Sequence, residues 1–188
     1  VGLLPDVTKH AVQGFGAAGN VIVLLGSNDD ELGGSEYLYA LHGIETGRPP
    51  RLDLDREARL QNLCRQAIAA DLLASAHDVS DGGLVAALAE SSLSGTNGPV
   101  GATVKVDLNG LRRDSAYFGE TQSRVVVSVT ADKLTAVEKL AAQFGVPCTV
   151  LGETGGDSFK VDDVISLPLK ELRQAWEEAI ECRIQQEI

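Results

Sequence analysis

His77-Asp78-Val79-Ser80-Asp81-Gly82-Gly83 places an imidazole, two carboxylates, a hydroxyl and a glycine pair within one short stretch. Acid–base chemistry, phosphate binding and helix capping all draw on these groups. The residues that follow, Leu84 to Glu90, are small and apolar at helical spacing, so the stretch reads as a polar turn that opens a helix. Ser80 or Asp81 can accept hydrogen bonds from the first free N–H groups of that helix. Gly82 and Gly83 remove the side chains that would keep another group from the backbone. The free N–H groups and the helix dipole together suit an anion. A capped helix packed under a sheet explains the same residues without a ligand, but the density of function-capable groups favours a site or an interface. The carboxylates and glycines do not fall at the positions of a calcium-binding EF-hand loop.

Two other stretches are of the same kind. Glu31-Leu32-Gly33-Gly34-Ser35-Glu36-Tyr37 is a second glycine turn before a short helix, with Ser35 as its cap and Gly33 and Gly34 open to close approach. Phe118-Gly119-Glu120-Thr121-Gln122-Ser123-Arg124 sets polar groups at the start of the apolar run Val125 to Val129. Side chains at the end of a buried strand are held rigidly, which suits ligand contact; a hydrogen-bond cluster at the sheet edge is the plainer account. Gly14-Phe15-Gly16-Ala17-Ala18-Gly19 matches G-x-G-x-x-G but precedes a strand instead of following one, so it reads as a turn and not as a dinucleotide site.

The elements that must position these groups follow from periodicity. Val21 to Leu25 is continuously apolar, as in a strand covered on both faces. Asp53 to Leu73 reads as a long helix with Leu60, Leu63, Cys64, Ala67 and Ile68 on one face. Ala102 to Leu108 alternates like a half-exposed strand. Asp132 to Phe144 is an amphipathic helix stopped by Gly145. Cys148–Gly152 and Phe159–Leu167 read as two strands about a glycine turn at 154–157. Pro168 opens a last helix that carries Leu169, Leu172, Trp176 and Ile180 inward. The interleaving predicts an α+β (mixed α/β) fold with a mixed sheet and flanking helices.

Composition bounds the partners. The 188 residues carry a formal charge of −11, which argues against nucleic acid and anionic membrane surfaces. No apolar run approaches the ~20 residues that span a bilayer. Cys64, Cys148 and Cys182 lie far apart with no C-x-x-C, and the first two read as small buried hydrophobes, consistent with a reducing, cytoplasmic setting. The chain opens at Val1 in mid-flow and is expected to be a piece of something longer, with residues 1–19 a lead-in from an upstream domain, residues 181–188 a frayed tail, and the whole span 1–188 one domain.

Asp30 to Tyr37, His77 to Leu84, Phe118 to Arg124 and Leu151-Gly152-Glu153-Thr154-Gly155-Gly156 occur in an order that resembles the last domain of phosphoribosylformylglycinamidine synthases, in the aminoimidazole ribonucleotide synthetase superfamily. The resemblance covers nearly the whole chain. It implies a C-terminal-type domain that walls a substrate cleft beside an ATP-binding domain. The parent reaction converts formylglycinamide ribonucleotide, ATP and glutamine-derived ammonia to formylglycinamidine ribonucleotide. The resemblance further implies upstream domains of the same subunit, a glutaminase subunit and a small accessory subunit as partners. ATP and Mg2+ would be held mainly by those upstream domains, since the family's catalytic histidines, ATP lysine and magnesium carboxylates have no counterpart here. No catalytic residue is therefore expected in this chain. Glu120-Thr121-Gln122 matches the place of a substrate-holding Glu-Ser-Gln block, with Thr for Ser. Glu120 and Gln122, with Asp78, Ser80, Asp81, Gly33, Gly34 and Ser35, are the candidate substrate or auxiliary-ligand residues. Asp78-Val79-Ser80-Asp81-Gly82 is also similar to a stretch of thiamine monophosphate kinases, so a sibling such as that kinase or selenophosphate synthetase is the alternative. The isolated domain is expected to be inactive, structural and prone to self-association.

Overall fold

The computed structural model describes residues 3–179. Its elements in chain order are β1 (Val21–Leu25), α1 (Glu36–His42), α2 (Leu54–Ala69), β2 (Ser75–Asp78), α3 (Gly83–Leu93), β3 (Ala102–Val104), α4 (Arg113–Phe118), β4 (Val125–Val129), α5 (Leu134–Phe144), β5 (Cys148–Thr154), β6 (Ser158–Val161), β7 (Ile165–Pro168) and α6 (Leu169–Glu177). The strands form one mixed sheet in the order β2-β4-β1-β5-β3-β6-β7, antiparallel except for the β3–β6 pair.

β1 shows why its sequence has no alternation. Val23 and Leu25 face a core built with Leu60, Leu63 and Ala67 of α2 and Val137 and Ala141 of α5. Ile22 and Leu24 face the other core, with Leu84 and Leu88 of α3, Ala116 and Tyr117 of α4, and Phe159 of β6. A central strand buried on both faces has no polar side to show. The sheet is thus covered by α2 and α5 on one face and by α3, α4 and α6 on the other.

The expected helices and strands form, with local differences. The helix expected over Asp53–Leu73 begins after Asp53, whose carboxylate caps it by accepting from Asp55 N–H and Arg56 N–H, both at 3.0 Å. It ends early because Asp71 turns left-handed at φ 55° and Leu72 N–H returns to Ala67 O. The alternation over 102–108 is real, but ladder pairing covers only Ala102–Val104. The single strand expected over Phe159–Leu167 is two, β6 and β7, broken at Asp162 with φ 49°. Aspartate tolerates that conformation, and its carboxylate binds Tyr117 Oη and Val106 N–H across the turn.

α4 was not legible in the sequence: it is six residues long, and its N-cap Arg112 offers no side-chain capping bond. Trp176, expected inward, is 54% exposed. α6 starts from β7 at the edge of the sheet, so Leu169 and Leu172, in its first turn, reach the core and Trp176 extends past it. Ile180, Cys182 and the 181–188 tail lie outside the described residues. Cys64 and Cys148 are partly rather than fully buried, and burial pushes both thiols up to about 11. Among the described residues no helix is long and apolar enough to cross a membrane.

Candidate functional site

Sheet register sorts the four conspicuous stretches to two ends. Leu25 is opposite Val125 and Cys148 at one end, and Val21 is opposite Val129 and Glu153 at the other. The 77–84 turn leaves β2 at the Val125 end, because Asp78 pairs with Val125. The 118–124 stretch enters β4 at the same end. The 30–37 turn reaches it through Glu120 N–H, which donates to Glu31 O at 3.1 Å. The fourth stretch lies at the far end, where Thr154 Oγ1 donates to Ala17 O at 2.7 Å and accepts from Asn20 N–H at 3.0 Å. There Gly152 allows Thr103 O to approach: an added Cβ would lie 2.0 Å from that oxygen. The fourth stretch therefore joins strands and is remote from the other three.

Glu120 joins those three. Its Oε1 accepts from Glu36 N–H at the start of α1 (2.8 Å) and from Gly82 N–H at the start of α3 (2.9 Å). One carboxylate oxygen thus sits at two helix N-termini, where orphan donors and the positive dipole ends favour negative charge. This corrects the capping expected of Ser80 or Asp81, since α3 has no side-chain cap from either. Gly83 N–H bonds Ser80 O instead, and the Ser80 hydroxyl donates to the Asp78 carboxylate. That hydroxyl is the main reason the Asp78 carboxyl is held below its ordinary range. Gly83, at φ 71°, lets α3 start against the Phe118–Gly119 backbone; a Cβ there would lie 2.7 Å from both Phe118 C and Gly119 O. Tyr37 stacks on Phe118, ring centroids 4.7 Å apart, and ties α1 to the same junction.

Arg124 sets the loop that carries Glu120. Its buried guanidinium donates to Thr121 O (2.8 Å), Gly119 O (2.7 Å) and Asn28 Oδ1 (2.7 Å). Burial, and after it the charge of Arg56, push its pKa down to about 10, so it stays protonated at neutral pH. Ser123 adopts φ 60° and anchors through its hydroxyl to Glu57 Oε2 at 2.6 Å. A left-handed serine costs about 1 kcal/mol, which the fixed Arg124 and Glu57 contacts on either side offset.

Beside this junction opens a cleft of about 400 Å³, and Asp78, Ser80, Asp81, Glu120 and Gln122 line it together with Glu57, Ser123 and Arg124. Five of the eight candidate residues therefore share one cavity. Gly33, Gly34 and Ser35 lie outside it. Gly33 is pressed against the Arg48 backbone, where a Cβ would lie 2.6 Å from Arg48 O, and Gly34 N–H bonds Thr46 O. Ser35, buried, caps α1 as expected by accepting from Leu38 N–H at 3.4 Å. His77 points toward α3, with Nε2 2.8 Å from Glu90 Oε2.

Four carboxylates, from Glu57, Asp78, Asp81 and Glu120, line the cleft, and all three nitrogens of the Arg124 guanidinium already donate to neutral oxygens. Such a wall suits hydroxyl or amine donors and disfavours phosphate. Among the described residues no group of three His, Cys, Asp or Glu is placed to hold a metal ion. Glu57 was missed in the sequence. The available signal was its place three residues before Leu60 on the apolar face of α2, a carboxylate where packing wants a hydrophobe. Nothing local marked Asn28, which the fold brings to Arg124 across 96 residues; the other two partners, Gly119 and Thr121, lie in the same stretch as Arg124.

The model for the AIR synthase related protein, C-terminal domain, matches residues 17–164. The phosphoribosylformylglycinamidine synthase subunit PurL of Anaeromyxobacter sp. (strain Fw109-5) is 41% identical over 195 aligned positions, covering 100% of this chain and 25% of the relative. PurL of Moorella thermoacetica is 42% identical over 184, covering 96% and 25%. The chain thus spans about a quarter of the length of the curated relatives it matches. Thermotoga maritima PurL complexed with FGAR superposes with a TM-score of 0.69 at 20% identity, over 87% of this chain and 29% of that one. Thiamine-monophosphate kinase from Stenotrophomonas maltophilia gives 0.53 at 24% identity, over 81% and 52%; at these identities both structures speak to fold alone. The turns, the mixed sheet and the match over residues 17–164 agree: the chain belongs to the AIR synthase related family, as its C-terminal domain.

Proposed function

We propose that this chain is the C-terminal part of an ATP-dependent phosphoribosylformylglycinamidine synthase subunit, in which it walls and stiffens a substrate cleft while other domains carry the phosphate chemistry. The observation that supports this most is the acidic cleft organised by Glu120. Phosphoryl transfer needs magnesium and cationic or N–H donors aimed at the phosphates. This cleft offers carboxylates instead, on a backbone fixed by two helix starts and a buried guanidinium.

In the whole enzyme ATP would activate the formamide oxygen of formylglycinamide ribonucleotide, and ammonia would then displace phosphate to give the amidine. Upstream domains of the same subunit would bind ATP and magnesium, with a glutaminase subunit and a small accessory subunit as partners in the cytoplasm. Asp78, Ser80, Asp81, Glu120 Oε2 and Gln122 would face the ligand; Gly33, Gly34 and Ser35 would shape the α1 turn. The relatives' names and the 41–42% identity support this parentage over the sibling kinase.

The test is the intact gene product supplied with formylglycinamide ribonucleotide, ATP, magnesium and ammonia. Amidine and ADP should form together. A folded, intact product that makes no amidine would overturn the reading.

A further inference from the structure

On the other side of Ser123 and Leu60 from the acidic cleft lies a second pocket of about 230 Å³ with the opposite character. Arg56, Arg59, Gly26 and Ser27 line it, and Gly145–Pro147 close it; no carboxylate side chain lines it. This is unexpected in a chain with 27 acidic and 16 basic residues. Arg56 and Arg59 lie one turn apart on α2, on a common face, where like charges oppose each other.

The two guanidiniums differ in how they are held. Arg56 is fixed: Nη1 donates to Asp29 Oδ2 at 3.1 Å, and Nη2 to Ser27 O at 2.8 Å and Ser27 Oγ at 3.1 Å. Arg59 is exposed and has no hydrogen bond or ion pair among the described residues; Asp53 feels its charge from beyond contact distance. Behind Ser123 stands a third guanidinium, Arg124, bonded only to carbonyl and amide oxygens and within range of the Arg56 charge. The α5 carbonyls of Ala141 and Ala142 are occupied by Val146 N–H and Gly145 N–H. Asp29 is thus engaged by Arg56, while the planar fork of Arg59 has no partner among the described residues. That fork matches the geometry of phosphate oxygens.

We propose that this pocket binds a phosphate group, free or carried as the monoester of a small molecule. The site is separate from the acidic cleft and does not depend on the ligase reading.

The test is calorimetric titration of the full chain with inorganic phosphate and with glycerol 3-phosphate, ionic strength held constant with chloride. Saturable binding of either is expected; phosphate alone would identify a free-phosphate site, and tighter glycerol 3-phosphate a monoester site. Arg59→Gln should weaken binding about tenfold, as for one lost charge-assisted contact. Arg59→Lys, which keeps the charge and loses the fork, should fall in between. Lys139→Gln, a charge change on α5, should leave binding within about twofold. No saturable binding of either anion, or equal binding by wild type and both Arg59 variants, would overturn the proposal and leave the arginines as partners of the α5 C-terminal turn. Either outcome leaves amidine formation by the intact subunit as a separate question.

Discussion

Replacing Glu120 with alanine would leave two backbone donors, Glu36 N–H and Gly82 N–H, without their common acceptor. Each is a charge-assisted bond, so denaturant unfolding should show a loss of about 2–4 kcal/mol, while Glu120→Gln, which keeps an acceptor oxygen, should lose about half as much or less. Equal losses for the two variants would mean that the carboxylate is not the joint between the helices. Asp78 gives a pH-dependent test. The Ser80 hydroxyl holds its carboxyl below the ordinary range. A depressed folded pKa contributes stability that is present above the unfolded value and is lost as pH falls through the folded one. Ser80→Ala should therefore move the NMR titration of Asp78 upward, and the stability advantage of wild type over the variant should fade on acidification below the ordinary aspartate range. An unmoved titration would show that the hydroxyl is not the cause.

At the scale of elements, α1 and the central strands should differ most. α1 buries none of its residues and is held by the Ser35 cap, the Glu120 contact and the Tyr37–Phe118 stack. β1 and β4 pair over five positions with Val23, Leu25, Val127 and Val129 buried. Hydrogen exchange should find α1 opening far more readily than β1 and β4; equal protection would contradict this. The same contrast explains what the sequence reveals. β1 announces itself as an unbroken apolar run because both its faces are buried, and α2 and α5 because burial of one face leaves a periodic stripe. Ser35 and Gly145 are legible because caps act locally, within a few residues. Glu120 at two helix starts and the Arg124–Asn28 bond are not, because these partners lie 38 to 96 residues away and only the fold brings them together. The same distance effect misplaced the α3 cap: Ser80 and Asp81 have the right chemistry, but a carboxylate from another strand's approach reaches Gly82 first. The 151–156 stretch shares the family resemblance with the other three but reads as a strand and turn with no candidate residue, and its position at the far end of the sheet agrees with that reading.

At the scale of the whole molecule, exposed apolar side chains include Leu3, Leu4 and Val7 in the lead-in, Tyr39, Leu41 and Ile44 in and after α1, Leu52 and Leu54 at the start of α2, and Val150, Val164, Leu167 and Trp176 toward the C-terminal strands and α6. Apolar surface of this extent favours association, so sedimentation at rising concentration should show self-association, and a monomer throughout would contradict it. The central claim is that this domain shapes a cleft and leaves ATP chemistry to other parts of a longer subunit. Its most direct test is ADP release by the isolated 188-residue chain in the presence of formylglycinamide ribonucleotide, ATP, magnesium and ammonia. No release above the uncatalysed background is predicted; sustained, substrate-dependent ADP production by this chain alone would contradict the account.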